Sequence, residues 1–121
     1  MNTPVKFEIG KLLRDNKQNI SSSKLMYASN GKLTDAIYDF DDWCFAPTIA
    51  EVLMWFYEKY NIWISVIKDM NIKWSNEYFN YYIYTSNGII KSDIGGTKPN
   101  TPKEAYSDAI KYILINNIIK K

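Results

Sequence analysis

Two helix-start signals frame a strand-rich stretch, and that framing constrains this 121-residue chain more than any other feature. The first is Pro47-Thr48-Ile49-Ala50-Glu51. Thr48 can accept from a free backbone N–H of the first turn, and Glu51, three residues on, can answer its N–H, which completes a capping box. The second is Thr101-Pro102-Lys103-Glu104, with proline at the first helical position, where it has no N–H to lose. The first helix is predicted to run to Tyr60-Asn61, and its wide apolar arc predicts that it is largely buried. The second is predicted to run to about Ile119 and to end in Lys120-Lys121, whose charges suit a helix C-terminus.

Between them the hydrophobic period changes from helical to extended. Ile62 to Ile67 is β-branched and aromatic, as a strand against a core should be. Asp69-Met70-Asn71 reads as a turn, and Ile72-Lys73-Trp74 as the start of the next strand. Glu77 to Thr85 is the strongest strand, with Tyr78, Phe79, Tyr81, Tyr82, Ile83 and Tyr84. Ser86-Asn87-Gly88 turns the chain into Ile89-Ile90-Lys91-Ser92, giving an antiparallel meander. Asp93 to Asn100, with Gly95-Gly96 and Pro99, is a loop.

The N-terminal part is less regular. Val5 to Asn16 has roughly helical spacing, although Gly10 costs such a helix about 1 kcal/mol relative to alanine. Asn16 to Ser23 is a polar loop. Ser23 to Asp39 is a hairpin, because Asn30-Gly31 supplies the positive φ angles of a tight turn. Asp39 to Ala46 is an acidic and aromatic connector. Runs of strand and helix without βαβ alternation predict one α+β domain over residues 1–121. Its antiparallel sheet, a meander plus an N-terminal hairpin, should pack on two or three helices.

Composition removes several functions. There is no histidine, the commonest general base and metal ligand, and one cysteine, Cys44, which allows neither a disulfide nor a thiolate zinc site. The chain reads as non-enzymatic, with no cofactor. A net charge of +2 and a single arginine, Arg14, argue against a double-stranded nucleic-acid binder. No signal peptide and no apolar run of membrane-spanning length is visible, and the lone cysteine suits a reducing cytoplasm.

The remaining constellations each have a plain counterpart. Asp39, Asp41 and Asp42 could bind a divalent cation, but the spacing lacks the glycine and distal glutamate of a calcium loop, and a solvated loop explains the run. Gly95-Gly96-Thr97-Lys98 lacks the Walker spacing and reads as an ordinary loop. Cys44, between Trp43 and Phe45, reads as a packed thiol. The aromatic strand is more informative. Tyr78, Tyr82 and Tyr84 share strand parity with Asn80, opposite to Phe79, Tyr81 and Ile83. One face can meet the helices; the other either packs or is offered to a partner.

The helix-start segments also carry a resemblance. Ala46-Pro47-Thr48, Glu51-Val52, Trp55, Tyr57-Glu58-Lys59-Tyr60 and Ile62-Trp63-Ile64 resemble the "APT-x-x-E" and "W-x-x-E-K-x-x-I-x-I" pattern of short uncharacterised proteins of gut Bacteroidetes and their tailed phages. Thr101-Pro102-Lys103-Glu104-Ala105-Tyr106, Ala109-Ile110 and Leu114 look like that family's "TP-x-EAY-x-x-AI-x-x-x-L". The likeness covers residues 43–119; residues 1–42 match only in general layout. It implies a phage or prophage origin and an α+β fold, and no activity.

The leading expectation is therefore a small phage accessory protein that binds a host or phage protein, or its own copy. Tyr78, Tyr82 and Tyr84, with Trp43, Asp41 and Asp42 of the connector, are the candidate binding residues. The alternative is a nucleotide or small-ligand sequestering protein, with Lys91 and Lys98 on phosphates and an aromatic ring on the base. A metal-dependent hydrolase built on Asp39, Asp41 and Asp42 is a third.

Overall fold

A computed structural model describes residues 3–16, 25–35, 43–71, 76–91, 101–116 and 118–119. Its elements are three helices and two three-stranded antiparallel sheets, an α+β arrangement as expected. The hairpin and the meander belong to separate sheets.

The first helix, α1 (Phe7–Asp15), buries Ile9 and Leu13, four residues apart on one face, with Val5 just before it. Ahead of it the chain runs against residues 47–49: the Val5 N–H donates to the Pro47 carbonyl at 2.8 Å, and the Ile49 N–H to the Thr3 carbonyl at 3.0 Å. β1 (Leu25–Tyr27) and β2 (Leu33–Asp35) form the expected hairpin. Gly31, with φ of 86°, supplies its left-handed residue, and Asn30 Oδ1 accepts from the Lys32 N–H at 3.0 Å.

The connector is not wholly irregular. Cys44–Phe45 is a strand, β3, that pairs with β1 to give the order β2-β1-β3. Two residues are too few to show a period in sequence, so the pairing comes from β1 and not from any local pattern. α1 crosses this sheet at Gly10. A side-chain carbon there would sit 3.0 Å from the Phe45 carbonyl oxygen and 3.1 Å from Cys44 Sγ. The glycine that weakens the helix is what lets the helix approach.

α2 (Ile49–Tyr60) starts on the predicted capping box: Thr48 Oγ1 accepts from the Glu51 N–H at 3.2 Å, and Glu51 Oε1 accepts from the Thr48 N–H at 2.9 Å. Asn61, left-handed at φ of 55°, closes it, and the Ile62 N–H donates to the Phe56 carbonyl. The expectation that this helix is largely buried holds for one side of it. Ile49, Val52, Leu53 and Phe56 are buried, whereas Met54 and Tyr57 lie on the solvent side, because α2 has neighbours on one side only.

The meander is β4 (Trp63–Asn71), β5 (Asn76–Thr85) and β6 (Gly88–Lys91), in that order. Asp69 to Asn71, expected as a turn, continue β4 and pair with Tyr78, Glu77 and Asn76. Cross-strand pairing overrides the weak strand preference of Asp and Asn. The expected strand start at 72–74 and the loop at 93–100 lie outside the described residues.

α3 (Pro102–Ile115) begins as expected, with Thr101 Oγ1 accepting from the Glu104 N–H at 3.2 Å. It ends before the predicted Ile119. Asn116 Nδ2 donates to the Tyr112 carbonyl at 2.9 Å, and the Ile118 N–H reaches back to the Ile113 carbonyl, turning the chain so that Ile119 is buried. Lys120 and Lys121 lie outside the described residues. Ala105 and Ala109 of α3 are fully buried, and Ala109, Ile110, Ile113 and Leu114 share one core cluster with Ile64, Ile83 and Phe56.

Candidate interaction surface

The two faces of the meander follow from strand register. Val66 pairs with Tyr81, and Ile64 with Ile83 and through it Ile90, on the face toward α3. Ile64 and Ile83 are 3% and 0% exposed, and Val66, Tyr81 and Ile90 pack against the core. The alternate residues form the opposite face. Trp63 pairs with Tyr84 and through it Ile89, Ser65 with Tyr82, and Ile67 with Asn80.

That second face carries large apolar side chains open to solvent, with Ser65 and Asn80 between them and Lys91 at the register position beside Tyr82. Trp63 is 44% exposed, Ile67 49%, Tyr84 37% and Ile89 60%. Tyr57, on the outer side of α2, extends the row: its ring meets the Trp63 ring edge-on at 5.6 Å between centroids. Single exposed apolar side chains are ordinary, but a row of them on one sheet face is the usual mark of a contact surface.

Tyr82 and Tyr84, both expected as binding residues, belong to this face, Tyr82 half-buried and Tyr84 exposed. Tyr78 pairs with Asp69 in the same strand register. Trp43 stands at the head of β3, half-buried, in the other sheet. Asp39, Asp41 and Asp42 lie outside the described residues. Trp63, Ile67, Ile89 and Tyr57 were not singled out from sequence. The parity of Trp63, Ser65 and Ile67 against Ile62, Ile64 and Val66 was the available signal, but it needed the β4–β5 register to join it to the tyrosines.

Several polar groups elsewhere among the described residues have structural partners. The Tyr27 hydroxyl donates to the Val5 carbonyl at 2.6 Å, and its ring leans on Phe7 at 5.3 Å. Burial pushes the Tyr27 hydroxyl and the Cys44 thiol up from their ordinary pKa values. Cys44 is buried, as a packed thiol should be. On the α1–α3 surface, Lys111 Nζ meets Glu8 Oε1 at 2.8 Å, which draws the Glu8 carboxyl down and the Lys111 ammonium up. Burial raises Asp108 beside them. Among the described residues no three His, Cys, Asp or Glu side chains gather as a metal site, and no helix is long and apolar enough to cross a membrane.

A groove of about 510 Å³ opens at the end of the meander, between Tyr60, Ile62, Ile90, Asn87, Asn116 and Ile118. Among the described residues no lysine or arginine lines it. Lys98, expected to meet a phosphate, lies outside the described residues, and Lys91 follows Ile90 in β6. No protein-family model, curated protein or solved structure matches the chain.

Proposed function

We propose that this chain is a non-enzymatic binding protein whose contact surface is the outer face of the meander, centred on Trp63, Tyr84, Ile67 and Ile89. One observation carries this: the helices cover one face of the sheet, while large apolar side chains populate the other and remain 37–60% exposed. Leaving that much apolar surface in water is unfavourable by roughly 25 cal/mol per Å², and covering it is the driving force available to a partner. Aromatic side chains suit the task, because they bring large area with few rotors to immobilise. Taken with the resemblance over residues 43–119, the partner is a host or phage protein and the setting is the bacterial cytoplasm.

The test compares capture from a bacterial lysate by the wild type and by a Trp63→Ala/Tyr84→Ala/Ile89→Ala variant matched in circular dichroism. A partner held by the wild type and lost by the variant is the expected result. The same partner held equally by both contradicts the proposal.

A further inference from the structure

β4 is an edge strand: in the order β4-β5-β6, β5 is its one pairing partner among the described strands. All nine of its residues pair with β5 in unbroken register, from Trp63 with Tyr84 to Asn71 with Asn76. No bulge twists this edge away and no proline interrupts it, two of the usual guards against strand addition. Residues 62–67 carry no charge, and the strand's two charged residues, Lys68 and Asp69, follow them.

Backbone direction along the strand follows from the hairpin. Thr85 and Gly88 flank a two-residue turn and so form its closing hydrogen-bonded pair. Alternation then directs the backbone groups of Tyr84 and Tyr82 toward Trp63 and Ser65. The N–H and C=O groups of Ile64 and Val66 are consequently directed away from β5. Among the described residues no backbone hydrogen bond from another element reaches them there.

We propose that this edge pairs with a second copy of the chain, β4 lying antiparallel to its counterpart about a twofold axis at Ile67. Antiparallel strands related by such an axis keep like faces together, and Ile67 is the midpoint of β4. That axis sets Ile64 opposite Met70 and Val66 opposite Lys68 of the second copy, so the positions alternate to Trp63, Ser65 and Ile67 meet one another. Ile67, half in water in the single chain, then lies against Ile67 of the second copy in a non-hydrogen-bonded pair, where Cα atoms approach to about 4.5 Å. The product is a six-stranded sheet whose two outer faces meet at Ile67, with Ser65 opposite Asp69 on either side of the axis. This contact does not depend on the proposed function, since a partner can cover the outer face of one copy or of two.

Light scattering should give twice the 14.2 kDa chain mass for the wild type. Ile67→Lys places like charges opposite each other at the axis and should halve the measured mass with the circular dichroism unchanged. Ile67→Cys is the second variant. Its introduced thiols fall within disulfide reach across the axis, so mild oxidation should link two chains. Asn87→Cys, in the β5–β6 turn, should stay unlinked, and native Cys44 is buried away from competition. A single-chain mass for the wild type, or equal linking by both variants, overturns the edge contact. A monomer that still captures its partner refutes the edge alone; a dimer that captures nothing refutes the outer-face proposal alone.

Discussion

The two sheets use the same kinds of side chain to opposite ends. In the β2-β1-β3 sheet, the aromatic residues are half-buried and tied inward: Phe7 leans on Tyr27, whose hydroxyl is bonded to the Val5 carbonyl, and α1 presses so closely that a side chain at Gly10 would crowd the Phe45 carbonyl. In the meander, aliphatic Ile64 and Ile83 hold the core, and the aromatic Trp63 and Tyr84 stand outside it. Aromatic content therefore does not divide core from surface in this chain. The number of covering layers does: short strands under one close helix keep their rings half-buried, whereas a longer meander with helices on one side leaves Trp63 and Tyr84 exposed.

Substitutions should separate the two uses, starting with the largest effect. Ile83→Ala removes a fully buried side chain from beneath α3 and should cost about 2–5 kcal/mol in urea or thermal unfolding. Gly10→Ala would gain about 1 kcal/mol if helix preference governed. The crossing governs instead, since the Phe45 carbonyl at 3.0 Å is backbone and cannot swing aside. A net loss of roughly 1–3 kcal/mol is expected, and a stabilised Gly10→Ala protein would break the comparison. Trp63→Ala, on the outer face, should cost less than about 1 kcal/mol of folding stability while removing partner capture.

The smallest effect is the α1–α3 ion pair. Glu8 is held below its ordinary carboxylate pKa, so its contribution is present above that value and is lost as pH falls through the lowered one. Lys111 is raised, so its share is present below its ordinary pKa and is lost as pH rises through the raised value. Glu8→Gln should flatten the acid side of a plot of midpoint against pH, by a small amount because both side chains are largely exposed. An unchanged acid limb would show that the pair contributes nothing.

What was legible in the sequence tracks how local each cause is. Thr48 with Glu51 and Thr101 with Glu104 signal helix starts within a few residues, and both starts are where those residues place them. Asn30-Gly31 and Asn87-Gly88 likewise mark their turns. Features set by distant partners were not legible. β3 exists because β1 pairs with it, β4 runs to Asn71 because Asn76 to Tyr78 answer it, and α3 stops at Ile115 as Asn116 turns back on Tyr112. Parity in β5 separated Tyr82 and Tyr84 from Ile83, but which set faced water depended on where α3 lies. Trp63, Ile67 and Tyr57 joined the surface only once register and helix packing were known.

The central claim, that the outer meander face is where this protein meets its partner, is tested most directly by hydroxyl-radical footprinting of the chain alone and in its captured complex. Side-chain oxidation should fall at Trp63, Ile67, Tyr84 and Ile89 in the complex, and Tyr112 and Ile115 on α3 should be unchanged. Protection of the α3 residues with Trp63 and Tyr84 still reactive would contradict it.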